Sequence, residues 1–176
     1  MANVFLVGRE SESWNSFTGI NYFILSKFQA GLSGVGKKIM IYGTYATGNA
    51  KTAIYSDSGG SPDALLAAAS AISVHQGWAE ASISDVNIVS GNYYWLAWNC
   101  DTSMCVGGND TGTNKYKSAT YSSFSFPDPA GTGFSSYTYQ GVINVFGEIS
   151  SSDPEGSLVG GKLIRGGLLL HGVLGR

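Results

Sequence analysis

The feature that most constrains the fold is a series of short stretches of alternating β-forming residues, separated by turns rich in glycine. In Lys37–Tyr45, Ile39 and Ile41 point one way while Met40 and Tyr42 point the other, which is the period of a β-strand. Turn signals recur between such stretches at intervals typical of a sandwich or a barrel. The predicted strands are Val4–Val7, Asn21–Ala30, Lys37–Tyr45, Lys51–Ser56, Trp78–Ile83, Val86–Val89, Asn92–Asn99 and Gly141–Ile149.

One segment carries conflicting signals. Residues Ser61–Asp63 have the cap, the proline and the acidic residue of a helix start, and the alanines that follow favour a helix. The run then becomes Ser70–Val74, which alternates as a strand does. We therefore predict a helical turn at Pro62–Leu65 and extended structure after about Ala67.

Tyr93–Trp98 forms the strongest aromatic cluster of the sequence. In a strand, its odd-numbered residues share one face and its even-numbered residues share the other. Exposed rings of this kind stack on sugars, whereas a strand buried on both faces of a sandwich uses the same rings for packing. We predict core packing for this strand.

Residues 100–140 are rich in Ser, Thr, Gly and aromatic residues, which predicts a long loop region. A loop this long in a compact domain is usually functional or buried in a contact. Its candidates for a contact with protein or glycan are Tyr116, Tyr121, Phe124, Tyr137 and Tyr139. Cys100 and Cys105 are spaced to close a small disulfide loop, and the sequence leaves their oxidation state open.

Charge is scarce along this chain. Only 12% of its 176 residues are charged and the formal net charge is −2, which gives no electrostatic footprint for nucleic acid or an anionic membrane. No apolar run is long enough to span a bilayer, and the first ten residues lack the basic and apolar regions of a signal peptide. A surface of small neutral groups suits a β-rich particle or an extracellular protein.

Candidate catalytic and metal sites fail on spacing. Gly31–Lys38 nearly spells a phosphate-binding loop, but Lys38 stands where the metal-binding Ser or Thr belongs, and a strand follows instead of a helix. His75 and His171 do not form a metal-ligand pair with each other. The turn aspartates Asp57, Asp63 and Asp85 are favoured there for local backbone bonding. We therefore expect no metal, no cofactor and no enzymatic activity.

The C-terminal segment is apolar, yet glycine interrupts it every few residues. One alternative is that it adds an edge strand to its own domain. We favour docking on another chain, because such glycines weaken a regular strand and suit close approach to a partner. The apolar anchors would be Leu163, Ile164, Leu168, Leu169, Leu170, Val173 and Leu174. Arg165 and Arg176 would fix the register through carboxylates or carbonyl groups.

Four motifs carry a resemblance to a known class of module. They are Ile41-Tyr-Gly, Gly48–Ala67, Gly77-Trp and Ser90–Ala97, and the stretch from Ile39 to Asn99 that contains them covers about a third of the chain. This stretch resembles the jelly-roll β-sandwich modules of phage structural proteins and of secreted, surface-exposed proteins. The Gly- and Leu-rich ending is similar to those of phage and prophage virion proteins, in which tails interlock subunits.

These features together predict an all-β jelly-roll sandwich over residues 1–149, a linker at 150–156 and an interlocking arm at 157–176. The expected function is that of a non-enzymatic virion protein, either a capsid-decorating, cementing subunit or a tail or fibre subunit, assembled in the host cytoplasm. Its partners would be sister subunits in closed symmetry such as a trimer, and another virion protein such as the major capsid or tail protein. The alternative is a glycan-binding module of a cell-surface or extracellular protein. A solvent-exposed line of Trp and Tyr would favour that alternative.

Overall fold

A computed structural model describes residues 4–10, 15–17, 19–44, 47–102, 106–109, 111–149, 157–159 and 162–164. The described fold is all-β, with strands paired into antiparallel sheets and one short 3-10 turn at Tyr121–Ser123. The strands are β1 Val4–Gly8, β2 Asn15–Phe17, β3 Tyr22–Gln29, β4 Gly34–Gly43, β5 Gly48–Ser58, β6 Ser61–Val74, β7 Gly77–Ile88, β8 Tyr93–Cys100, β9 Val106–Asn109, β10 Asn114–Ser118, β11 Ser135–Tyr137, β12 Gln140–Gly141, β13 Ile143–Ile149, β14 Ser157–Val159 and β15 Lys162–Ile164.

Two large sheets form the body. One has the strand order β1-β13-β4-β7 and the other the order β11-β10-β3-β8-β5-β6. Eight of these strands pair in a nested pattern along the chain: β1 with β13, β3 with β8, β4 with β7, and β5 with β6. The first strand of the eight therefore lies beside the last, and the chain enters and leaves the body along neighbouring strands.

The main hydrophobic core draws side chains from both large sheets. Leu6, Ile39 and Ile143 of the four-stranded sheet belong to the same fully buried cluster as Ile24 and Leu96 of the six-stranded sheet. Burial of such branched side chains provides most of the driving force for packing two sheets face to face. The result is the sandwich-like, all-β arrangement that the sequence pattern predicts.

The six-stranded sheet is buried on its second face as well. Phe23 and Trp95, both with no exposed surface, belong to a second cluster on that face. Phe124, Phe126 and Phe134 pack against this cluster from outside the sheet. We call residues 119–134, which carry these three rings, the strap. The prediction that the aromatic strand packs on both faces is confirmed, because Trp98 is buried in the main core and Trp95 beneath the strap.

The predicted helical turn at Pro62–Leu65 is wrong. These residues are extended within β6, a 14-residue strand at the edge of the six-stranded sheet. Ala64 N–H donates to the Ser56 hydroxyl at 3.0 Å and Leu65 N–H donates to an Asp128 carboxylate oxygen at 3.0 Å. These tertiary hydrogen bonds take the place of helical ones and override the local preference of alanine for helix.

The region from residue 100 to residue 140 is less loop-like than predicted. It contributes β10 and β11 to the edge of the six-stranded sheet, and β9 and β12 to a three-stranded sheet with β2. β10 pairs with β3 over five residues, from Asn114 opposite Ser26 to Ser118 opposite Tyr22. This pairing gives hydrogen-bond partners to the backbone of a segment whose polar composition predicts a loop.

Beyond the body, β14 and β15 pair with each other in an antiparallel two-stranded sheet. Within the described residues, neither strand pairs with a strand of the two large sheets.

Candidate binding site at one end of the sandwich

At one end of the six-stranded sheet, two strands end and a third begins after a turn. β8 begins there, and Tyr94 pairs with Ser56 near the end of β5 and with Phe28 near the end of β3. Ala30 N–H donates to the Asn92 carbonyl at 2.9 Å, which ties the end of β3 to the turn before β8. Gly91 occupies that turn with a φ of 84°, a left-handed conformation that a residue without a Cβ adopts at little cost.

Asp57 organises the charges at this end. Its Oδ1 accepts a hydrogen bond from Trp95 Nε1 at 2.7 Å and lies 2.9 Å from Lys27 Nζ, while Oδ2 accepts from Gly60 N–H at 3.1 Å. Desolvation would raise the pKa of Asp57, but the hydrogen bonds from Lys27, Trp95 and Gly60 together lower it below its ordinary value. The carboxylate is therefore ionised and its charge is balanced by Lys27.

Lysines and aromatic rings alternate beside Asp57. Lys27 Nζ lies 4.5 Å from the centroid of the Tyr93 ring and 5.7 Å from that of Trp95. Lys115 Nζ lies 5.3 Å from the Trp95 ring and donates to the Ser61 hydroxyl at 3.0 Å. Cation–π contacts of this kind contribute about 0.5–2 kcal/mol each. They favour the observed positions of the rings, and burial and the hydrogen bond to Asp57 hold Trp95 in addition.

A surface depression of about 490 Å³ opens beside Tyr93. We call it the Tyr93 depression. Tyr93 is 46% exposed, in contrast to the other aromatic residues of β8, which are at most 5% exposed. Leu66 reaches the depression because β6 carries an extra residue between Leu65 and Ala67, which are paired with consecutive residues of β5. The polar side chains that line the depression belong to Ser56, Asp57, Asn87 and Asn92.

A second depression of about 390 Å³ lies between the start of β6 and the strap. Lys115 and Asp63 bring opposite charges to its lining, and Ser61 and Thr132 bring hydroxyl groups. Phe134 supplies its aromatic wall, but Lys117 Nζ already lies 4.2 Å from the centroid of that ring. This depression therefore combines polar groups with the apolar surfaces of Pro62, Pro129 and Phe134.

The strap is held on the sheet by two lysines. Lys51 Nζ donates to the carbonyl oxygens of Tyr121 at 2.8 Å and Phe124 at 2.7 Å. Lys117 Nζ donates to the carbonyl oxygens of Ala130 at 3.2 Å and Thr132 at 3.4 Å. Burial lowers the pKa of Lys117. These contacts make the strap a fixed cover of the second cluster.

The Tyr55 hydroxyl also anchors the strap, by donating to the Pro127 carbonyl at 2.9 Å. Desolvation is the larger cause, and the nearby charge of Asp128 the smaller one, of a raised pKa for Tyr55. The hydroxyl therefore keeps its proton and remains a donor.

The five aromatic side chains predicted as a contact surface do not form one exposed line. Tyr116 stacks edge-on against Tyr22 with centroids 5.8 Å apart, and Phe124 lies 5.1 Å from Phe23 in the second cluster. The remaining three differ among themselves: the Tyr121 ring lies 4.6 Å from Lys51 Nζ, Tyr139 is 6% exposed and Tyr137 is 56% exposed.

The predicted arm falls mostly outside the described residues. The backbone of Leu163 and Ile164 lies in β15, opposite Leu158 and Ser157. The remaining predicted anchors lie outside the described residues: Arg165, Leu168, Leu169, Leu170, Val173, Leu174 and Arg176. Of the predicted cysteine pair, Cys100 is disulfide-bonded and Cys105 lies outside the described residues.

Sequence reasoning placed Tyr93 with the buried residues and did not single out Asn87 or Asn92. A signal was present, because Tyr93 is the first residue of its strand and follows the turn residues Gly91 and Asn92. Side chains at such junctions are positioned by the scaffold yet open to solvent.

Within the described residues, no three His, Cys, Asp or Glu side chains are grouped as metal ligands would be. No helix of the described part is long and apolar enough to cross a membrane. No protein-family model matches the chain, and no curated protein matches it.

Proposed function

We propose that this chain is a non-enzymatic structural subunit of a virus particle, with a jelly-roll body and a C-terminal arm that joins it to neighbouring subunits. The observation that carries the proposal is the nested strand pairing of the two large sheets. The first of these eight strands pairs with the last, the second with the seventh, the third with the sixth and the fourth with the fifth. This pairing is expected of an eight-stranded jelly roll, a fold used by viral capsid proteins and lectins.

The position of the last body strand supports a role for the arm. β13 ends at Ile149, between β1 and β4, and its final residues pair with Gly34 at the start of β4. An arm attached after Ile149 would start at the end of the sandwich, from which it would reach a neighbour without displacing a body strand. Its Gly- and Leu-rich sequence suits insertion into a partner's surface.

The burial of aromatic side chains favours this structural function over glycan recognition by the five aromatics of residues 100–140. Trp95 and Trp98 are at most 1% exposed, and Phe124 packs in the second cluster. A line of exposed rings would be needed for that form of glycan binding, and Tyr137 alone among the five is more than half exposed.

Removal of Ser157–Arg176 tests the proposal. The full chain is expected to form a closed oligomer and to co-purify with virus particles, and the truncated chain is expected to be a folded monomer with a cooperative melting transition. A control of full length replaces the seven apolar anchors with serine and should behave like the truncation. A monomeric full chain, or a truncated chain of unchanged oligomer mass and particle incorporation, would overturn the proposal.

A further inference from the structure

We propose that the Tyr93 depression is a binding site for a neutral pyranose sugar. This inference does not depend on the arm, because every residue that it uses lies in the described body. It also differs from the glycan contact expected from the sequence, since it uses none of the five aromatic residues of that expectation.

The Tyr93 ring contacts a fixed lysine and is also exposed to solvent. Lys27 Nζ, 4.5 Å from the ring centroid, is itself fixed by Asp57 at 2.9 Å. The tyrosine nevertheless leaves 46% of its surface open. A ring fixed before binding loses little conformational freedom when a ligand stacks on it. The C–H face of a pyranose is a suitable partner for such an apolar aromatic surface.

Two amide side chains are available for hydrogen bonding at the same depression. Asn87 on β7 and Asn92 in the following turn are both exposed and line the depression. Within the described residues, neither side-chain amide makes a hydrogen bond. Each amide carries two donors and an acceptor, which matches the hydroxyl groups of a sugar, since these also donate and accept.

The charge balance selects a neutral ligand. Asp57 is the one acidic residue of the lining, and its charge is compensated by Lys27. Both of its carboxylate oxygens already accept hydrogen bonds, from Trp95 and Gly60. An ionic ligand would therefore meet no uncompensated charge at the depression, and a purely apolar ligand would leave the asparagine amides without partners.

The size and lining of the depression agree with a small ring. Its volume of about 490 Å³ lies within the range of about 300–1,000 Å³ found for small-molecule sites. Leu66, 36% exposed, adds an apolar surface for C–H groups at the side of the site. An aromatic platform, an aliphatic edge and two exposed asparagine side chains together fit a neutral pyranose better than a peptide or a phosphate.

Titration of the full chain with methyl glycosides of glucose, galactose and N-acetylglucosamine tests the proposal. Amide NMR shifts followed to about 50 mM ligand detect millimolar affinities. We expect at least one glycoside to shift the side-chain amides of Asn87 and Asn92. Tyr93→Ala should weaken this binding by about tenfold or more, whereas Tyr93→Phe, which keeps the ring, should retain it within about twofold.

Tyr137→Ala is the matched control. Tyr137 is also an exposed tyrosine, but it lies on β11, at the opposite edge of the six-stranded sheet from β6. Its removal should leave the affinity unchanged. Asn87→Ala, on β7 in the four-stranded sheet, should weaken binding several-fold, and thermal melting would verify that each variant folds. The proposal is overturned if none of the glycosides shifts the asparagine amides, or if Tyr93→Ala binds as the unmodified chain does.

Discussion

Asp57 is the single residue on which the charge arrangement at the end of the sandwich depends. Three donors converge on its carboxylate, from Lys27, Trp95 and Gly60. Asp57→Asn keeps one acceptor oxygen but leaves the Lys27 ammonium without its counter-charge. We expect the free energy of unfolding at neutral pH to fall by about 1–3 kcal/mol, measured by urea denaturation.

The loss of unfolding free energy in Asp57→Asn should decrease as the pH falls. The folded-state pKa of Asp57 lies below its ordinary value of 3.8, so ionised Asp57 stabilises the fold fully above that value. This contribution disappears as the pH falls through the lowered pKa. The difference between the native chain and the Asp57→Asn variant should therefore shrink as the pH falls below 3.8 and through the lowered pKa. Asp85→Asn is the control, because the carboxylate of its ion pair is 67% exposed, and it should change the free energy of unfolding little. A stability difference for Asp57→Asn that stays constant with pH would contradict the lowered pKa of Asp57.

At the scale of elements, the strap should depend on Lys51 more than on any surface ion pair. Lys51 donates to two strap carbonyls at 2.8 and 2.7 Å. Lys51→Met keeps the aliphatic stem but removes both charged hydrogen bonds. We expect a loss of about 1–3 kcal/mol in the free energy of unfolding and faster hydrogen exchange in the strap.

Lys38→Met provides the matched control for Lys51→Met. Lys38 also forms a short contact, 2.8 Å to Glu80, but the carboxylate is 57% exposed to solvent. Such pairs contribute about 0–1 kcal/mol. Equal losses from the two substitutions would show that the strap is held by its aromatic side chains instead of by Lys51.

The strands that could be predicted are those in which the alternation of neighbouring residues determines which side chains lie on each face. In β3, Phe23 and Leu25 face the second cluster while Ile24 and Phe28 face the main core, as the period of two requires. β6 was not predictable, because its alanine-rich start is held extended by side chains from distant segments, Ser56 and Asp128. The strap escaped prediction for the same reason: Lys51 and the Tyr121 carbonyl are 70 residues apart.

At the scale of the whole molecule, the candidate site depends on positions that no local pattern contains. Tyr93, Asn87 and Leu66 come from three strands in two sheets, and they meet because β6 and β7 are the neighbouring edges of those sheets. The last residue of β13 lies at the same end of the body. Ile149 pairs with Gly34, which in turn pairs with Ile88, just before the turn that leads to Tyr93.

This shared end raises the question of whether assembly and sugar binding are separable. The Tyr93 depression is built from the described body, with its tyrosine fixed by Lys27 and Asp57, so it does not need the arm for its shape. The arm in turn would join subunits through apolar anchors that include no part of the depression. Removal of Ser157–Arg176 should therefore abolish the oligomer while glycoside affinity stays within about twofold.

The converse substitution completes the test. Tyr93→Ala should lose glycoside binding and keep the oligomer mass of the unmodified chain, as measured by sedimentation and by NMR titration of the same samples. Energetically independent sites give such additive behaviour, whereas coupled sites do not. If the truncation raised the affinity by about fivefold or more, the arm would be competing with the sugar for the depression, and the two functions would be linked by mutual exclusion.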